Sequence, residues 1–175
     1  MVYLYVAECS DPVKGAKDLI KKAMKDYGME PLPILHDRVG KPYVAENLQI
    51  SLSHTRGAAA AALCKSNVGV DLEQIRILRA GMAQRVMSPM EYSWYKSRGA
   101  KKEDFFTLWT LKESYYKYLG TGLRGIPNRT NFCLQNGIWH LEGQKQKFFV
   151  WQTETLSIAL CCEEQEVCVM QFPEN

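Results

Sequence analysis

The chain has 175 residues, 46% hydrophobic, 11% aromatic and 23% charged, with 12 Gly and 7 Pro. That length sets one domain, or two very small ones, with material for a core; it excludes a disordered tail, a collagen-like repeat and a coiled coil. A net charge of +3 and a pI of about 8.5 fall short of a nucleic-acid binder and suit an acidic or phosphorylated ligand.

The longest uncharged apolar stretch, around residues 55–63, is broken by Arg56 and too short to span a bilayer. The first ten residues carry Glu8 and no basic leader, which predicts no secretory signal. Six cysteines, Cys9, Cys64, Cys133, Cys161, Cys162 and Cys168, show neither C-x-x-C nor zinc-finger spacing. They read as reduced thiols in a cytoplasmic protein.

Residues 1–7 read as a β-branched and aromatic strand. Asp11-Pro12 opens a helix over 13–27 whose apolar face is Val13, Ala16, Leu19, Ile20, Ala23 and Met24, ringed by lysines and stopped by Gly28. Residues 31–42 form a loop containing Arg38-x-Gly40-Lys41-Pro42, and 48–54 alternate as a strand. The alanine-rich stretch 56–64 reads as a buried strand, turning at Ser66-Asn67 into a strand over 68–73. A helix is expected over 75–86. Ser88-Pro89-x-Glu91 is a capping box that starts a short helix, ended by Gly99. The longest helix spans 103–119, stopped by Gly120 and Gly122. The remainder reads as a β-meander over 131–135, 138–142, 147–153, 156–162 and 167–172, with Asn136-Gly137 as its hairpin signal. A strand, helix and sheet order occurs twice, with a boundary near residues 74–83, which divides the chain into 1–74 and 75–175.

Two segments carry candidate chemistry. In Gly69-Val70-Asp71-Leu72-Glu73, strand alternation sets Asp71 and Glu73 on one face. Two carboxylates side by side repel unless a cation lies between them; magnesium takes one or two carboxylates plus phosphate oxygens. A solvated face with two acids reads the same pattern, and for D-x-E alone is the commoner case. In the helix 103–119, Leu108, Leu111, Tyr115, Tyr118 and Leu119 form one apolar stripe, with Glu113 and Lys117 a turn apart on the far side, flanked by Trp109 and Tyr116. An indole there points to a semi-buried cleft; a surface i,i+4 salt bridge is the plainer alternative.

Ser53-His54 ends one strand, and the Arg38–Pro42 loop adds cations with Gly40 allowing close backbone approach. An ordinary surface histidine and a plain surface turn account for these equally. Metal, phosphate-directed cations and a carboxylate base are what phosphate transfer needs. There is no Walker loop, G-x-G-x-x-G or kinase H-R-D. The residues reach metal-dependent chemistry on a phosphorylated ligand and do not name it.

With Gly69–Glu73 followed by W-T-L-K-E-S-Y-Y-K-Y-L-G-T-G-L at residues 109–123, preceded by Gly40-Lys41-Pro42 and Ser51–His54 and with Met87-Ser88-Pro89-x-Glu91 between, the chain resembles the 4′-phosphopantetheinyl transferases. The resemblance, over roughly residues 38–160, is to the larger pseudo-dimeric class that primes surfactin-type synthetases. It implies two similar α+β halves with coenzyme A between them, the N-terminal half compressed. It implies transfer of phosphopantetheine to a serine hydroxyl of an apo acyl- or peptidyl-carrier protein, releasing adenosine 3′,5′-bisphosphate. Asp71, Glu73 and Glu113 would hold magnesium, with manganese the alternative. Glu113 is also the implied base, and a cation on it lowers its pKa. Lys117 and His54 would contact the pyrophosphate; Ser53, Lys41 and Arg38 would sit near the 3′-phosphate and adenine, with Gly40 and Pro42 in the same loop. Only 39 residues precede Gly40, fewer than the family carries, and Lys14 and Lys17 are as well read as a solvated helix face. Eight Lys/Arg against four Asp/Glu between Glu91 and Arg129, Lys96, Arg98, Lys101, Lys102 and Arg124 among them, would suit an acidic carrier protein. A solvated helix face accounts for them as well. The expected form is a monomer that binds neither nucleic acid nor membrane. The competing readings are a coenzyme A or nucleotide binder without transferase activity and a carrier-protein docking adaptor.

Overall fold

The structure, a computed structural model, describes residues 1–121 and 127–171. Gly122, Leu123, Arg124 and Phe172, named above, lie outside the described residues.

The first half begins with β1 (Val2–Glu8) and α1 (Pro12–Asp26), capped by the Asp11 carboxylate accepting the Lys14 amide. Next come the short pair β2 (Leu35–His36) and β3 (Pro42–Tyr43), then β4 (Gln49–Thr55) and β5 (Ala58–Cys64). The 31–42 loop is thus pinched into a small hairpin. Val13, expected on the apolar face of α1, is exposed, because the stripe that meets the sheet begins at Ala16.

β6 (Val68–Gln74) closes the first half, and the second runs through α2 (Met82–Val86), α3 (Pro89–Ser97), α4 (Lys102–Leu119), β7 (Phe132–Gln135), β8 (Ile138–Leu141), β9 (Lys147–Gln152), β10 (Leu156–Cys162) and β11 (Val167–Gln171). The helix expected over 75–86 is confined to α2. Its first half is irregular: the Ile75 amide bonds the Thr155 carbonyl, continuing the β6 ladder by one residue, and Arg76 is drawn back onto Glu73, Gln74 and the Phe106 ring. Ile77 is left 93% exposed, and Gly81, at φ 79°, turns the chain into α2.

One sheet has the order β11-β1-β5-β4 and the other β6-β10-β9-β8-β7. The expected meander therefore holds only through β10. β11 leaves it to pair parallel with β1, while β6 pairs with β10. The halves exchange terminal strands, which ties them more firmly than face packing alone.

The layers follow from alternation. Ala58, Ala60, Ala62 and Cys64 of β5 face Leu156, Ile158, Leu160 and Cys162 of β10 across the sheet-to-sheet core. On the outer face of the first sheet, Ala59, Ala61 and Leu63 meet Ala16, Leu19, Ile20, Ala23 and Met24 of α1. On the outer face of the second, Ala159 and Cys161 meet Phe105, Leu108, Leu111 and Tyr115 of α4. The result is helix, sheet, sheet, helix, an α+β fold. Alanine is a poor strand former in isolation, but β5 is covered on both faces and small side chains let both neighbours close in. All six cysteines are free thiols. No described helix is long and apolar enough to cross a membrane.

Candidate active site

Gly69 fixes where α4 lies. A β-carbon there would overlap the Ser114 carbonyl oxygen and the Tyr118 amide, so the backbone of α4 rests directly on β6. Asp71 and Glu73 follow Gly69 on the same face, and Glu113 and Lys117 each precede one of the two α4 residues that touch it. Helix and strand thus bring together residues some forty positions apart.

β4 supplies the other wall. Ser51 Oγ accepts the Val70 amide at 2.9 Å and Ser53 Oγ the Leu72 amide at 3.3 Å, so hydroxyls replace backbone pairing across this seam. Ser53 Oγ also donates to Asp71 Oδ1 at 2.8 Å and accepts from Lys117 Nζ at 2.8 Å. That uses its one donor and both lone pairs. Lys117 Nζ meets Asp71 Oδ1 at 2.7 Å. Glu73 Oε2 accepts from Thr55 Oγ1 at 3.4 Å and from Arg76 Nη1 at 3.2 Å.

Asp71 Oδ2 is buried with no hydrogen-bond partner. Such an oxygen is costly unless a donor or cation meets it. Glu113 is pushed up to about 7, first by burial, then by the Asp71 charge, with Lys117 opposing and Glu73 adding to the rise. The three acids therefore feel one another, with two cationic side chains, Lys117 and Arg76, among them. An orphaned carboxylate oxygen within this acidic group fits a hard divalent cation with oxygen ligands. Among the described residues, no three His, Cys, Asp or Glu side chains already stand as a closed ligand set; Lys117 and Arg76 hold oxygens of two of the acids.

The Gly40-Lys41-Pro42 loop reaches the same place. Asp37 Oδ1 accepts the Val39 and Lys41 amides at 2.9 and 2.8 Å, and Gly40 takes φ 88°, fixing a tight turn. Lys41 Nζ donates to the Tyr118 carbonyl at 3.2 Å, at the C-terminal end of α4, where a cation is favoured; burial pushes its ammonium down. Gly40, Lys41, Pro42, Ser51 and Lys117 line a cavity of about 200 Å³. That is below the roughly 300–1,000 Å³ of a drug-sized ligand site and admits part of a larger ligand. A larger cavity, about 870 Å³, lies along β8 and β9 and contains none of the residues expected to hold metal or coenzyme A.

The structure thus gathers Lys41, Ser53, Asp71, Glu73, Glu113 and Lys117. It leaves Arg38 exposed in the turn and His54 exposed on the face of β4 opposite Ser53. Leu119, placed in the apolar stripe, is exposed in the last turn. Trp109 stacks on Phe105 within the core of the second half, at 6.4 Å between centroids. Lys14 and Lys17 are exposed on α1. The stitching by Ser51, Thr55 and Asp37 was missed; Ser51, Ser53 and Thr55 recur at every second position, and that period was the available signal.

Residues 67–169 match the family model described as the 4′-phosphopantetheinyl transferase superfamily. The match takes in β6, α4 and β10 and begins after the 38–54 region. The chain is similar to a 4′-phosphopantetheinyl transferase of Aneurinibacillus migulanus, 34% identical over 48% of this chain and 36% of that protein. It is also similar to a 4′-phosphopantetheinyl transferase of Bacillus subtilis, 31% identical over 58% of this chain and 48% of that one. These alignments span between about a third and a half of the relatives' length. A solved structure, Thermotoga maritima holo-[acyl-carrier-protein] synthase, aligns at TM-score 0.48 with 20% identity over 56% of this chain and 64% of that one.

Proposed function

Since the chain belongs to the 4′-phosphopantetheinyl transferase superfamily, we propose that it moves the phosphopantetheine arm of coenzyme A onto a serine hydroxyl of an apo acyl- or peptidyl-carrier protein. The serine oxygen bonds the phosphorus that carries the pantetheine. The bond from that phosphorus to the bridging oxygen breaks, and adenosine 3′,5′-bisphosphate leaves. The observation that carries the reading is the buried, unpartnered Asp71 Oδ2 in a group of three interacting acids.

Asp71, Glu73 and Glu113 would hold magnesium or manganese. Held there, such a cation would supply positive charge to the diphosphate of the substrate. Glu113, raised to about 7 in the metal-free chain, is the candidate base for the serine proton, and a cation bound to it would lower that value. Lys117 lies between Asp71 and the small cavity; released from Asp71, its ammonium turns to the diphosphate. Lys41, Gly40, Pro42 and Ser53 form the wall for the nucleotide end, and the outward Arg38 and His54 would reach it from the rim. The cleft lies between the halves 1–74 and 75–175 of a cytoplasmic monomer.

One observation favours a second reading, a coenzyme A binder that transfers nothing: Lys117 and Arg76 already neutralise two of the acids. Mass spectrometry of a panel of apo carrier proteins, incubated with coenzyme A, magnesium and this protein, separates the two. A gain of the phosphopantetheine mass is expected. Coenzyme A binding without any gain supports the second reading.

A further inference from the structure

Outside the acidic group, the most heavily engaged charges are Glu91 in the first turn of α3 and Lys112 on α4, paired at 2.8 Å with side chains 0% and 1% exposed. Both charges are bonded to backbone groups as well as to each other. Glu91 Oε2 accepts the Ser88 amide and Lys112 Nζ, and Oε1 accepts the Phe132 amide at 2.8 Å. Lys112 Nζ donates to Glu91, to the Thr130 carbonyl at 2.8 Å and to Thr130 Oγ1 at 3.0 Å. An ammonium has three protons, and three acceptors are present.

We propose that Glu91 and Lys112 are positioning residues. They set the rotation of α4 about its own axis, and through it the places of the Glu113 carboxylate and the Lys117 ammonium. As applied to the metal, the inference rests on the function proposed above. Stability alone does not explain the pair, because taking two charges out of water is costly and apolar replacements of similar volume are often neutral or better. Direction is what it adds. From Phe105 to Tyr118 no residue of α4 is fully exposed, and apolar contact is non-directional. Side-chain tips lie roughly 5–6 Å from a helix axis. A turn of about 20° would move the Glu113 carboxylate by about 2 Å, too far for ligand distances that tolerate about 0.2 Å. Lys112 immediately precedes Glu113, so fixing its ammonium on the α3 side fixes Glu113 on the β6 side.

The test is the double variant Glu91→Gln/Lys112→Met, which removes both charges and keeps an amide oxygen for the cap. Its crystal structure should show the Lys117–Asp71 contact, 2.7 Å in the parent, opened by α4 rotation. Mn²⁺ binding, followed by titration calorimetry, should weaken at least tenfold. A folded double variant with that contact and the Mn²⁺ affinity unchanged overturns the inference. Should it fail to fold, Glu91→Asp keeps both charges and retracts one by a methylene. A severalfold loss of Mn²⁺ affinity is expected there, and an unmoved helix with parental affinity overturns the inference equally. If the parent itself binds no Mn²⁺, the proposed metal site falls, while the crystallographic contact still decides the role of the pair.

Discussion

α1 on the first sheet and α4 on the second occupy corresponding layers yet are built for different ends. α1 buries one stripe of alanine, leucine, isoleucine and methionine and leaves Lys14, Lys17, Lys21, Lys22 and Lys25 in water. It is a cover, and its pattern reads cleanly at 3.6 residues per turn. α4 is enclosed by the second sheet, α3 and the wall formed by β4. Thr110, Lys112 and Ser114 are buried within it alongside the aromatics. Loss of amphipathicity in α4 comes from having partners on several sides, each demanding its own polar bond. A helix that only covers a sheet tolerates change on its outer face; one that carries charge into a seam does not.

The largest expected effect that would break this contrast is at Glu113. Glu113→Gln should lower transfer by about 10²–10⁴-fold, the usual worth of a positioned acid–base group, with folding intact by circular dichroism. Normal turnover would remove α4 from the chemistry and leave it a cover like α1. Asp71→Ala should abolish the magnesium dependence of coenzyme A binding; identical calorimetry with and without the metal would count against the acidic group.

Next comes the close approach itself. Gly69→Ala forces a β-carbon into the α4 backbone at Ser114 and Tyr118, an overpacking worth about 1–3 kcal/mol. Chemical denaturation should show the loss, and metal binding should weaken with it, since the helix must back away from Asp71. A variant of parental stability would mean that α4 does not rest on β6.

How much of this was legible follows the same contrast. The stripe of α1, the Ser88–Glu91 box, the Asn136-Gly137 turn and the helix end at Gly120 are local signals, and each element appears where they place it. That Glu113 feels the charges of Asp71 and Glu73 was expected only from the resemblance; residue type alone gave two separate pairs, Asp71/Glu73 and Glu113/Lys117. The irregular course of 75–80 was not legible, since its causes, the Thr155 carbonyl and the Phe106 ring, lie far along the chain. Nor was the departure of β11 to β1, because strand alternation says which face is buried and nothing about which strand is the neighbour. Within the site, the hydroxyl stitching by Ser51 and Ser53 depends on β6 lying beside β4, a relation between sheets that neither segment encodes alone.

A smaller effect sharpens the electrostatic side. Glu113 is raised from 4.5 to about 7, so between those values the folded chain holds a proton that the unfolded chain has released. Metal-free stability attributable to this group is present below about pH 4.5 and falls as pH rises through 7. The parent should therefore lose melting temperature from pH 5 to pH 8 more steeply than Glu113→Gln, measured without divalent metal. Parallel profiles would show that the Glu113 carboxyl is solvated.

The smallest effect belongs to α1. Asp11 Oδ1 accepts the Lys14 amide at 3.0 Å at the start of that helix, and loss of such a cap costs about 1 kcal/mol. In a chain of this size that lowers the melting temperature by about 2–4 °C. Asp11→Ala should do this while leaving the transfer rate and metal affinity at parental values, because the described residues of α1 pack on the outer face of the first sheet and on the segment around Leu32, Val44 and Leu48, and the seam between β4, β6 and α4 lies beyond that face. A fall in kcat beyond what partial unfolding explains would mean that α1 also holds the cleft, and the division of labour between the two helices would be lost.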